Sequence, residues 1–228
     1  MLDGVIFDFD GVLVDSESCH WAAFNEIFQP LGLPVSRAEY DAQYLGFDDR
    51  NALRARFQSA GRTLADDALE QMVAEKGRIF QRLVETRGIQ TFPGVIALLD
   101  ALHREGMPLA LCTGASQRDV AAVLRQLRIR DDFDVVVTAD DVPLSKPDPV
   151  SYRLAFDLLR KKFPRRDLQA GRALAVEDSV WGIQAARDAG LRVLAVANTY
   201  PLEPLRQADF VLPSLDGVTP DKLRDLIK

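Results

Sequence analysis

Two hydrophobic rhythms alternate along the chain. Short, almost unbroken apolar runs occur at GVIFDF (4–9), PLALCT (108–113), DVVVTA (134–139), RALAVE (172–177) and RVLAVA (192–197). Continuous apolarity, rather than strict alternation, predicts strands covered on both faces, as in a parallel sheet. Between the runs lie stretches with apolar residues at helical spacing: PGVIALLDALHREG, SQRDVAAVLRQLRI, PVSYRLAFDLLRKK and SVWGIQAARDAG. Gly106 and Gly190 follow two of these and read as helix stops. Strand and helix in alternation predict an α/β fold with a doubly wound, Rossmann-like parallel sheet. DFVLP (209–213) predicts a further strand, and 219–227 a closing helix.

Residues 16–89 break this rhythm. ESCHWAAFNEIFQPLG, RAEYDAQYLG, NALRARFQSAG and ADDALEQMVAEKGRIFQRLVETRG are helical in pattern, and no strand run separates them. The segment leaves through TFPG (91–94), where Pro93 and Gly94 mark a break. The expected organisation is an α/β core from 1–15 and 90–228, carrying an inserted all-helical cap over 16–89.

Open parallel sheets bind ligands beyond the carboxyl ends of their strands. Polar residues fall at those ends here. Asp8 and Asp10 close the first run, and Thr113 with Gly114 the second. Lys146 follows the third, and Glu177 with Asp178 close the fourth. Residues i and i+2 of an extended chain face one side, so Asp8 and Asp10 would repel unless one protonates or a cation joins them. A hard divalent ion such as Mg²⁺ suits such oxygen ligands. Each signal also has a plainer reading. The aspartates can cap a turn, Thr113-Gly114 can be an ordinary strand-to-helix connection, and Lys146 can be solvated. Glu177 and Asp178 can complement a helix dipole, with Ser179 capping that helix.

Composition narrows the partners. The 228 residues carry a net charge of −6, with 47% hydrophobic and 27% charged residues. That length suits a single large domain or a core with an insert. The acidic balance argues against nucleic acid as partner. A small anionic substrate stays admissible where a metal or a local lysine supplies positive charge. Two cysteines, Cys19 and Cys112, predict no disulfide framework and fit a reducing cytoplasm. The apolar start of the chain contains acids and lacks a basic leader, so no signal peptide is expected. No stretch approaches the roughly 18 apolar residues of a membrane span. Neither a P-loop nor a dinucleotide-binding glycine motif occurs.

Taken together, DFDGVLVDSE (8–17), CTGAS (112–116), SKPDP (145–149) and VEDSVWGIQAARDAG (176–190) resemble the haloacid dehalogenase (HAD) superfamily. The likeness is to its helical-cap branch, which includes β-phosphoglucomutase and phosphoglycolate phosphatase. It spans essentially the whole chain, more loosely in the cap. The resemblance implies a Mg²⁺-dependent phosphatase acting on a small phosphorylated metabolite such as a sugar phosphate. It implies Asp8 as nucleophile, through an aspartyl-phosphate, and Asp10 as general acid and base. Thr113, Gly114 and Lys146 would bind the phosphoryl group. Asp8, the Asp10 carbonyl and Asp178 would hold the metal, with Glu177 beside it. An acid at position 10 favours phosphoryl transfer over the carbon–halogen and carbon–phosphorus chemistry of other branches.

In the cap, His20, Arg50 and Lys76 are candidate substrate contacts. His20 reads equally as a hinge histidine, and Lys76 as a solvated helix position. GFDDRNAL (46–53) departs from the mutase pattern, where a serine-arginine pair is expected directly after the glycine. Tyr44 and Phe47 read as packing residues. A β-phosphoglucomutase-type mutase is the alternative activity, and a non-catalytic scaffold a third reading, disfavoured by the intact charged set. A monomer or small homo-oligomer is expected.

Overall fold

The computed structural model describes residues 2–129 and 132–228. Six strands, β1 (Gly4–Phe7), β2 (Leu109–Cys112), β3 (Val135–Val137), β4 (Ala173–Glu177), β5 (Arg192–Val196) and β6 (Phe210–Leu212), form one sheet. Every pairing is parallel, in the order β3-β2-β1-β4-β5-β6. The chain begins at the centre, winds out through β2 and β3, and returns to the other side of β1 at β4. The order therefore reverses beside β1, and such a switch point opens a crevice at the strand ends.

Every residue of β1, β2 and β4 is buried, which explains their unbroken apolarity. Alternate residues serve opposite faces. Val5, Phe7, Leu109, Leu111, Leu174 and Val176 pack on one side with α5 (Val95–Arg104), α6 (Gln117–Leu127) and α10 (Pro220–Leu226). Ile6, Ala110, Cys112, Ala173 and Ala175 face the other side, against α7 (Val150–Lys162) and α8 (Val180–Asp188). Small alanines on this face let α7 seat Tyr152 and Leu159 directly on the sheet. Gly106 and Gly190 take positive φ after α5 and α8, where a left-handed residue ends a helix cheaply. A four-residue helix, α9 (Leu202–Leu205), lies between β5 and β6 and was not evident in the hydrophobic pattern.

Between β1 and β2 come α1 (Glu17–Phe28), α2 (Arg37–Gln43), α3 (Asp49–Ser59) and α4 (Asp66–Arg87). They share an apolar cluster of their own around Phe24, Phe28, Tyr40, Leu53 and Leu69. The 22-residue α4 also reaches the sheet layer, where Phe80, Leu83 and Val84 join the α5/α6 side. No helix among the described residues is long and apolar enough to cross a membrane.

All strands but β4, which ends with its run at Glu177, stop one or two residues short of the apolar runs at their carboxyl ends. Beyond Phe7 the chain folds back, with Leu13 and Val14 donating backbone hydrogen bonds to the Phe9 carbonyl. Gly11, at φ +78°, makes this turn possible. Asp8, Asp10, Thr113, Gly114, Lys146 and Asp178 thus sit in loops past the strands, and Glu177 is the last residue of β4. At the opposite, amino end of the sheet lies the run Arg160-Lys161-Lys162-Phe163-Pro164-Arg165-Arg166, exposed except for the half-buried Phe163, a basic patch that the net acidity conceals. Its first part ends α7, where cations complement the helix dipole.

Candidate active site

A cleft of about 660 Å³ opens between the strand ends and helices α1–α3. Its floor is built around Asp8. This carboxylate follows β1, is almost fully buried, and accepts a 2.8 Å hydrogen bond from the Lys146 ammonium. Lys146 reaches over from the loop before α7. It also donates to Glu177 Oε1 (2.6 Å) and to the Cys112 carbonyl (3.2 Å). Tyr152, on α7, donates its hydroxyl to the same Glu177 oxygen at 2.7 Å. The other Glu177 oxygen accepts from the Asp178 and Ser179 amides and the Ser179 hydroxyl, at 3.0–3.2 Å. Glu177 is fully buried, and its carboxylate is saturated by these donors. It therefore anchors Lys146 beneath Asp8.

That anchor depends on a close approach by α8. A Cβ built on Gly182 would stand 1.9 Å from Glu177 Oε1, so only glycine leaves room for the carboxylate. Ser179 caps α8, its hydroxyl accepting from the Gly182 amide at 3.0 Å. Gly11 makes a similar allowance on the other side, where a Cβ would stand 1.8 Å from Asp178 Oδ2.

The electrostatics are crowded. Burial raises the Asp8 carboxyl, Lys146 pulls it back down, and Glu177 raises it again. Burial, then Glu177 and Asp8, push Asp178 well above the usual carboxylate range. Desolvation opposes the charge on Lys146, but Asp8 and Glu177 outweigh it and hold the ammonium protonated. Three acids against one ammonium leave an excess of buried negative charge, which is costly without a cation. One ligand oxygen from each of Asp8, Glu177 and Asp178 lies within 4.8 Å of the others. A small hard cation with bonds of about 2.1 Å spans about 4 Å between opposite ligands. Donor type, spacing and charge excess all fit a divalent ion on Asp8 and Asp178.

Asp10 stands apart from this cluster. Its Oδ1 accepts a short hydrogen bond from the Ser16 hydroxyl and lies 3.5 Å from Nε2 of His20. Burial raises its pKa, but hydrogen bonds from His20 and Ser16, with the charge of Lys76, bring it below the ordinary value. His20 stacks on Phe80, with ring centroids 4.3 Å apart. Lys76 Nζ lies 2.7 Å from His20 Nδ1, 2.7 Å from Asp49 Oδ1 and 3.4 Å from Asp119 Oδ2. With Nδ1 accepting from Lys76, the ring presents its Nε2 proton to Asp10.

Thr113 and Gly114 line the cleft next to Asp8. The Thr113 Oγ1 accepts from the Ala115 amide at 3.0 Å, which leaves the hydroxyl hydrogen free to donate. Nothing lies within 4 Å of a Cβ built on Gly114, so this side of the turn is open for a ligand. Ser116 caps α6 by accepting from the Asp119 amide.

The helical wall differs from expectation. Arg50 does not line the cleft, and it makes two parallel hydrogen bonds to Glu70 at 2.8 and 2.7 Å on the surface. Lys76 is fully buried behind the wall, between α4 and α6, rather than in the cleft or in solvent. Tyr44 packs in the α1–α4 cluster, whereas Phe47 is 42% exposed and lines the cleft. Sequence reasoning missed Glu17, Tyr40, Asp48 and Asp49. The Tyr40 hydroxyl donates to Glu17 at 2.8 Å, and Ser145 donates to Asp48 at 2.6 Å. Glu17 was within reach, since it closes the first motif. Tyr40 and Asp49 sit on helices and Asp48 caps one, and only the tertiary packing brings them to the cleft.

Residues 5–196 match the family model for haloacid dehalogenase-like hydrolases. The chain belongs to that family. It is 33% identical over 222 residues to protein CbbY of Cereibacter sphaeroides, covering 94% of this chain and 93% of that one. It is 30% identical over 203 residues to a phosphorylated carbohydrates phosphatase of Thermotoga maritima, covering 87% of each. A crystal structure of a CbbY variant from Rhodobacter sphaeroides, in complex with xylulose-(1,5)bisphosphate, superposes with a TM-score of 0.86. It is 31% identical and covers 98% of this chain and 99% of that one. The matched region of this hydrolase runs from β1 to the end of β5 and takes in every residue of the Asp8 floor.

Proposed function

We propose that the chain is a Mg²⁺-dependent phosphatase that hydrolyses a small phosphorylated metabolite of the sugar-phosphate kind through an aspartyl-phosphate on Asp8. The observation that carries this reading is the Asp8 floor itself. A carboxylate at a strand end, bonded to a Glu177-anchored ammonium and next to an open Thr113-Gly114 turn, faces a cleft large enough for a sugar-sized group. The relative named for phosphorylated carbohydrates supports the substrate class.

In this reading the phosphoryl group sits between Asp8, Lys146, the Thr113 hydroxyl and the amides that follow it. Lys146 and these donors stabilise charge on the transferring oxygens. A divalent cation on Asp8 and Asp178 supplies further charge neutralisation when bound. One Asp8 oxygen remains free of Lys146 and attacks phosphorus, which splits one displacement into two easier ones. Asp10 protonates the leaving oxygen, then takes a proton from the water that cleaves the acyl phosphate. The His20 and Ser16 contacts favour its ionised form, which suits the second step. The helices α1–α4 act as the cap that covers the reacting group and excludes bulk water.

The test is phosphate release with Mg²⁺ from a panel of phosphorylated metabolites, with Asp8→Asn as the blank. Release from a subset, abolished in Asp8→Asn, is the expected result. Isomerisation of β-glucose 1-phosphate to glucose 6-phosphate without phosphate release would mark a mutase instead. No reaction and no Mg²⁺ binding would leave a scaffold.

A further inference from the structure

We infer that this hydrolase selects phosphomonoesters whose remote end is an uncharged, hydroxyl-bearing group, and that it discriminates against bisphosphates. The inference rests on the phosphatase reading above and concerns the far half of the same cleft.

With the phosphoryl group at Asp8, the rest of a substrate extends toward α1–α3. The lining groups able to carry positive charge are Lys146, His20 and Arg54. Lys146 is bound into the floor by Asp8 and Glu177. His20 is engaged by Lys76 and faces Asp10. Arg54 is half-exposed and bonded to Asp66 at 2.8 Å. Among the described residues lining the cleft, each ammonium or guanidinium is already bonded to a carboxylate, Arg54 through an exposed pair. Arginine is the side chain that recognises such a dianion best, through two parallel bonds. Arg50 has the right chemistry and is spent on Glu70, outside the cleft.

The same wall presents carboxylates. Glu17, Asp48 and Asp49 all line it. Asp49 is offset by the buried Lys76, and Asp48 is engaged by Asn51 and Ser145. Glu17 accepts from the Tyr40 hydroxyl, and its remaining lone pairs suit a donor such as a sugar hydroxyl. A second phosphoryl group would meet this acid, and the arginine that acts on it, Arg37, lies outside the cleft and is paired with Asp41. Specificity follows as much from that repulsion as from the hydroxyl contacts. A neutral polyol end meets acceptors and amides instead.

The experiment compares matched pairs on one carbon skeleton at pH 8 with Mg²⁺: fructose 6-phosphate with fructose 1,6-bisphosphate, and xylulose 5-phosphate with xylulose 1,5-bisphosphate. Turnover gives kcat/KM, and calorimetry on Asp8→Asn gives affinity without chemistry. The expected result is a preference of about tenfold or more for the monophosphate in both measurements, the size of one unfavourable polar contact. Glu17→Gln is expected to narrow the gap by raising affinity for the bisphosphate. Equal or better handling of the bisphosphate by wild type overturns the inference and leaves the phosphatase reading standing. So does hydrolysis of p-nitrophenyl phosphate with no member of either pair bound. Failure to hydrolyse any ester, p-nitrophenyl phosphate included, overturns both.

Discussion

Lys76 shows how one side chain can be legible as a letter and illegible as a role. It stands on α4 in a pattern that allows a solvated lysine, yet it is fully buried and surrounded by Asp49, Asp119 and His20. Its ammonium also lies over the Phe80 ring, 4.9 Å from the centroid. Desolvation acts against the charge, but Asp49 and Asp119 outweigh it and hold the group protonated. Removing one partner from such a buried network leaves uncompensated charge and costs about 3–5 kcal/mol. Lys76→Met is therefore expected to lower unfolding free energy by about that amount in urea titration. Adding Asp49→Asn and Asp119→Asn to the same chain should recover most of it, since the charges then vanish together. A loss below about 1 kcal/mol would mean the network is not tightly coupled. The placement of Asp8, Asp10 and Lys146 was readable because the aspartates close an apolar run and the lysine stands directly before a proline. Lys76 and Asp49 were not, because an amphipathic helix shows which face is polar and not what that face meets.

At the scale of elements, the sheet and its helices were legible almost throughout. Buried parallel strands are apolar on both faces, and helices α5–α8 carry clear stripes closed by Gly106 or preceded by Ser116 and Ser179. The runs overshoot β2, β3 and β4 by one residue at the amino end, and the larger misses, of two residues, lie at the carboxyl ends of β1 and β3, where the chain leaves the sheet. The contact between the helical segment and the sheet could not be read at all. It is made in part by Asp48, which caps α3 by accepting from the Asn51 amide at 2.8 Å while its other oxygen takes the Ser145 hydroxyl. Ser145 precedes Lys146, so this bond ties the start of α3 to the loop that carries the ammonium. Asp48→Ala removes both interactions and is expected to cost about 1–2 kcal/mol, the range of a lost cap. Ser145→Ala removes only the link, so its stability should change by less than about 1 kcal/mol. Hydrogen exchange at residues 49–53 separates the two. Faster exchange is expected in Asp48→Ala alone, and equal acceleration in both would show that the link, not the cap, holds this turn.

For the whole molecule, the decisive quantity is the charge gathered where the sheet order reverses. The chain has a net charge of −6, and three of its acids are buried together beside β1 with one ammonium. Folding without a cation must bear that crowding, which is visible as the raised carboxyls of Asp8 and Asp178. A divalent ion that binds only the folded chain shifts the unfolding equilibrium by mass action, about 2.7 kcal/mol at one hundred times its dissociation constant. For a chain of this size, each kcal/mol moves the melting temperature by roughly 2–4 °C. Saturating Mg²⁺ is thus expected to raise the melting temperature by about 5–10 °C, reversibly on adding EDTA. Asp178→Asn should behave differently in two respects. It removes one crowded carboxylate, so the metal-free protein should melt no lower than wild type. It also removes a ligand, so the rise with Mg²⁺ should largely disappear. Calorimetric scans of both proteins, with Mg²⁺ and with EDTA, make the check. An unchanged wild-type melting temperature, or an undiminished rise in Asp178→Asn, would mean that the acids beside β1 hold their charge by Lys146 and hydrogen bonds alone.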